Sequence, residues 1–116
     1  MPYPQLDRSR LAIRPLRERL NKVSIETDHV RPGTAPRPLS AATREAVGQT
    51  ARRMAAARET GRPVVLAFGA HAIKNGLGPV LIRLLEEGWL QHLATNGAGI
   101  IHDWEFAFQG ASSEDV

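Results

Sequence analysis

Residues 63–99 constrain the fold more than any other stretch, because two short apolar runs flank one amphipathic segment there. Pro63-Val64-Val65-Leu66-Ala67-Phe68 is continuous in its apolar character, as expected of a parallel strand covered on both faces. Residues 69–74 read as a turn. Leu77, Val80, Leu81, Leu84 and Leu85 then recur at helical spacing and stop near Glu87 and Gly88. Pro79 places the start of this helix close by, since proline is tolerated only in the first turn. A second strand over residues 90–95 runs into Asn96-Gly97-Ala98-Gly99. Strand, helix and strand at these lengths make a βαβ unit, so the expected fold class is α/β, a Rossmann-like parallel sheet with flanking helices. Two parallel strands do not close a core alone. The sheet is therefore expected to be incomplete in this chain, and to be completed by further residues, by a homo-oligomer or by a partner chain.

The segments on either side extend this frame. Residues 100–110 are ambiguous: Ile101, Trp104 and Phe108 make a helical stripe, whereas Trp104, Phe106 and Phe108 alternate as in a strand. The glycine-rich turn before them and the α/β order favour a helix. Residues 40–59 predict another, with Ser40 as N-cap, Val47, Ala51, Met54 and Ala55 on one face, and Gly61 as the stop. Its alanine-rich face suits close packing on a sheet. Pro15 followed by Leu16, Leu20 and Val23 predicts a short helix over residues 15–23. Residues 27–38, broken by Pro32, Gly33, Pro36 and Pro38, read as a loop. The expected organisation is an amino-terminal arm and linker over residues 1–38, then the first part of a nucleotide-binding domain over residues 39–116.

Composition narrows the function classes. The chain has no cysteine, which excludes disulfides, thiolate catalysis and cysteine-bound metal. No apolar run approaches the ~20 residues that span a bilayer, and Met1-Pro2-Tyr3-Pro4-Gln5 lacks the apolar core of a signal peptide. A cytoplasmic protein without membrane contact is expected. Most basic residues precede Pro63 and are arginines, and the remainder is net acidic. A solvated or ion-paired surface explains this better than nucleic acid, for which no motif is present.

Ligands of open parallel sheets bind beyond the carboxyl ends of the strands, where helix N-termini offer free N–H groups. Two turns lie there, Gly69-Ala70-His71-Ala72-Ile73-Lys74-Asn75-Gly76 and Thr95-Asn96-Gly97-Ala98-Gly99. Small residues let a phosphate approach the backbone, and His71, Lys74 and Asn96 supply polar contacts. Gly97-Ala98-Gly99 alone suits any tight turn equally well. His92, inside the second strand, reads as a core or edge histidine. His102, Asp103 and Glu105 cluster after the second turn and suggest an acid–base pair, but no spacing on one helix face matches a metal-ligand motif, so no metal is expected.

Together the two turns, the helix between them and Asp103 resemble the first nucleotide-binding region of the deoxyhypusine synthase family, over roughly the last half of the chain. The family's Thr-Thr-Ala-Gly-Gly turn followed by Glu-Glu-Asp aligns with the second turn without an insertion between the loops. The resemblance implies NAD as cofactor, held by Ala70, His71, Ala72, Ile73, Lys74, Asn96, Gly97, Ala98 and His102. It also implies an NAD-dependent, aminobutyl-type transferase. The family's paired glutamates fall on Ile101 and His102, so the implied substrate is altered. Its imine-forming lysine lies further along than this match reaches, and the lysines here are Lys22 and Lys74, so the catalytic residues are unassigned. The alternative expectation is a non-catalytic structural or regulatory subunit of an oligomer.

Overall fold

Among the described residues four short strands form two separate pairs, one parallel and one antiparallel, and helices connect them. The computed structural model describes residues 3–115. Single 3-10 turns at Arg8–Arg10 and Leu16–Glu18 precede β1 (Asn21–Ser24) and the one-turn helix α1 (Ile25–Asp28). There follow α2 (Ala41–Glu59), β2 (Val65–Phe68), α3 (Ala70–Lys74), α4 (Gly78–Glu86), β3 (His92–Thr95), α5 (Gly97–Gln109) and β4 (Ala111–Glu114). The chain is thus mixed α/β.

The local signals that placed α2, β2, α4, β3 and α5 act as expected. Ser40 accepts a hydrogen bond from the Thr43 N–H at 3.1 Å, which starts α2. Pro79 sits in the first turn of α4, where its missing N–H is not needed. β2 and β3 pair in parallel, Val65 opposite His92 and Phe68 opposite Thr95. The helical stripe wins over strand alternation in the closing segment, because Asn96 caps α5 by accepting from the Gly99 N–H at 3.1 Å.

Three expectations are corrected. Residues 15–23 do not form a helix: after the Leu16–Glu18 turn the chain extends into β1, which pairs antiparallel with β4, Val23 opposite Ser112. That long-range ladder wins although Leu16, Arg17, Glu18 and Arg19 are good helix formers, because so short a helix is marginal without tertiary packing. Residues 70–74, read as a turn, close into the helical turn α3. The parallel pair is not covered on both faces, since exposed and half-buried positions alternate along β2 and Val65 is 58% exposed. His92 is likewise exposed, an edge position rather than a core one.

The core is small and sits where α3, α4 and α5 meet the ends of the strands. Ile73, Leu81 and Phe106 are buried there, with Val23, Leu66 and Phe68 packed against them. His29 closes one side, its ring edge-on to Phe106 at 5.1 Å. α2 contributes no buried residue. The radius of gyration is 18.9 Å, against about 13 Å for a compact domain of this length. No described helix is long and apolar enough to cross a membrane.

Candidate functional site

The parallel register of β2 and β3 sets Gly69 and Asn96, the residues that follow each strand, side by side. A methyl group added at Gly69 would lie 3.4 Å from the Asn96 side-chain amide. Two turns some 27 residues apart in sequence therefore share one edge of the sheet. In the first turn of α5 the Gly99 N–H is taken by the Asn96 side chain and the Ile100 N–H by the Asn96 carbonyl. The N–H groups of Gly97 and Ala98 lie outside the helical ladder, at the positive end of a 13-residue helix.

Beside this edge lies a cleft of about 210 Å³ between α4 and α5. Phe68, Leu81, Ile82, Leu85, Leu93 and Ile100 line it, and its polar groups are Thr95 and Asp103. An apolar slot with two polar groups in its lining suits a flat ring carrying hydroxyls.

The residues expected to hold the cofactor divide into three groups. Asn96, Gly97 and Ala98 are exposed at the sheet edge, and Ala70 and His71 begin α3 beside them. Ala72 and Lys74 are half-buried, and Ile73 is buried in the core, where its side chain also lines the cleft. His102 is elsewhere in purpose: its Nδ1 lies 2.6 Å from Ser112 Oγ.

That contact belongs to a polar cluster the sequence did not announce. Ser112 Oγ donates to Glu105 Oε2 at 2.6 Å, and Arg19 Nη1 donates to Glu105 Oε1 at 2.7 Å. Since the single Ser112 hydrogen goes to the carboxylate, its oxygen accepts from His102, so Nδ1 carries a proton. Burial alone raises the Glu105 carboxyl, but the Arg19 and Ser112 hydrogen bonds, the Arg19 charge and the Ser113 N–H outweigh it and bring it down to about 2. Ser113 holds a left-handed backbone, φ 64°, a conformation unfavourable for a non-glycine residue.

The only hint of this cluster in sequence is the His102 to Glu105 spacing, which puts both on one face of α5. Arg19 and Ser112 arrive through the β1 and β4 pairing. Asp103 faces the cleft instead. Among the described residues no group of three His, Cys, Asp or Glu side chains is placed to hold a metal. The chain matches no protein-family model, no curated protein and no solved structure.

Proposed function

We propose that this chain is a nucleotide-binding portion of a deoxyhypusine-synthase-like, NAD-dependent protein on a Rossmann-like plan. The observation that carries the reading is the meeting of the Gly69 and Asn96 turns at one edge of the β2 and β3 pair, with the first turn of α5 open. The free N–H groups of Gly97 and Ala98 suit a phosphate. The adjoining cleft, with Asp103 and Thr95 as polar contacts, suits a ring with its ribose hydroxyls. Asn96, Gly97, Ala98, Ala70 and His71 are the residues that hold the cofactor in this reading. Bound NAD supplies a hydride acceptor, and the apolar walls of the cleft exclude water from it. The substrate differs from that of the resembled family, because Ile101 and His102 stand where its paired glutamates would attract a polyamine.

A second reading, a non-catalytic subunit that keeps the fold, is favoured by one observation. Ser112 is fully buried and its hydrogen is committed to Glu105, so the serine, histidine and carboxylate cluster knits β4 to α5 rather than presenting a nucleophile.

Titration calorimetry with NAD tests the first reading. Gly97→Asp adds a carboxylate where nothing lies within 4 Å of the new Cβ. An acidic first turn favours the helix but repels a phosphate, so affinity is expected to fall at least ~10-fold, ~1.4 kcal/mol, with helix content unchanged. No binding of NAD by the unaltered chain, or equal binding by the variant, removes the nucleotide site and leaves the second reading.

A further inference from the structure

Two helical faces of this chain, one on α5 and one on α2, are apolar and exposed. On α5, Ile101, Trp104 and Phe108 stand 58, 56 and 65% exposed. The Trp104 and Phe108 rings stack at 4.8 Å, 8° from parallel, which makes them one stiff ridge. On α2, Ala46, Val47, Thr50, Ala51 and Met54 line a shallow apolar groove, with Val47 56% exposed. Its small side chains let another helix approach closely, large residues filling the space that small ones leave.

Charge and area both indicate what covers these faces. Residues 1–63 carry a net charge of +7 and residues 64–116 a net charge of −4. α2 lies in the basic half with Arg44, Arg53 and Arg58, and α5 lies in the acidic half with Asp103 beside Trp104. Contact of α2 on one copy with α5 on the other brings opposite charges together, whereas α2 against α2 would oppose like charges. The chain exposes 9508 Å², and a folded monomer of its 12.7 kDa exposes about 6,200 Å². The difference is roughly 3,300 Å² per copy, and an obligate dimer buries about 2,000–5,000 Å² in total. Half of that excess on each copy is therefore enough.

We propose that two copies of this chain form a twofold dimer in which the α2 groove of each receives the Trp104 and Phe108 ridge of the other. The contact occurs twice, as a twofold axis requires.

Sedimentation equilibrium and light scattering on the full chain test this, with far-ultraviolet circular dichroism to verify folding. The expected mass is twice 12.7 kDa, and added salt weakens the association. Val47→Asp and Trp104→Asp each place a charge in the interface, and each is expected to raise the dissociation constant at least ~10-fold. Phe108→Glu repeats the test on the ridge should the tryptophan variant lose helix content. An equimolar mixture of the Val47 and Trp104 variants is expected to associate more tightly than either alone, because one of its two contacts keeps both original faces. Three results overturn the proposal: a monomer at concentrations up to about 0.5 mM, a dimer that survives either substitution, or variants whose mixture gains nothing.

Discussion

Replacing Glu105 with glutamine removes the charge at the centre of the buried cluster while keeping its size. In the folded chain the carboxyl lies at about 2 rather than its ordinary 4.5. At roughly 1.4 kcal/mol per unit, that difference contributes on the order of 3 kcal/mol to stability at neutral pH. Little of this is lost to solvent screening, because Glu105 is 8% exposed. The folded value lies below the unfolded one, so the contribution is complete above 4.5 and disappears as the pH falls toward 2. Glu105→Gln is therefore expected to be less stable by about 3 kcal/mol near neutrality and to converge on the unaltered protein in acid. Urea unfolding followed by circular dichroism across that range measures the gap, with sucrose added to keep the variant folded. A gap that stays constant as the pH falls from 4.5 to about 2 would refute the argument, since the lost interaction would then not depend on charge.

Other substitutions probe the close approaches around the sheet edge. Gly76 has φ +78°, and a Cβ there would run into the Asp28 carbonyl; Gly76→Ala is expected to cost at least ~2 kcal/mol in thermal or urea unfolding, through strain and the displaced loop. Gly99→Ala would collide with Thr95 Oγ1 and is expected to destabilise although alanine is the better helix former. Combined with Thr95→Ala it is expected to recover most of that loss, and a double variant no more stable than the single one would refute the steric account. Arg19→Met leaves Glu105 buried without its cation, and is expected to cost about 3–5 kcal/mol near neutral pH and progressively less as acid protonates the carboxyl, as read by the same unfolding curves.

Much of the α/β frame is written in local pattern, and the places where it is not share one cause. Ser40, Pro79 and Asn96 act on groups within three or four residues, so the bounds of α2, α4 and α5 follow from neighbours in the chain. The apolar runs of β2 and β3 likewise identify strands. What they do not contain is the number of partners, and with only two strands in this sheet Val65 remains open where sequence predicts cover. The candidate site shows the same division. Asn96, Gly97 and Ala98 are legible as a strand-to-helix turn, but their position beside Gly69 depends on the parallel register.

The antiparallel pair shows what lies beyond sequence. Neither Asn21–Ser24 nor Ala111–Glu114 has an alternating apolar pattern, and each is held mainly by hydrogen bonds to the other. Left-handed Gly110 turns the chain off α5 so that β4 meets β1, and the Ile25 N–H bonds to its carbonyl at 2.8 Å. That return joins Arg19 to Glu105 across 86 residues and encloses Ser112 between them. By itself the sequence determined α2, α4, α5, the two parallel strands and the turn from β3 into α5, because those depend on short-range sterics and capping. Only the tertiary structure decided that His102 and Glu105 form a buried polar cluster rather than an open acid–base pair, because that outcome rests on a backbone pairing between distant segments.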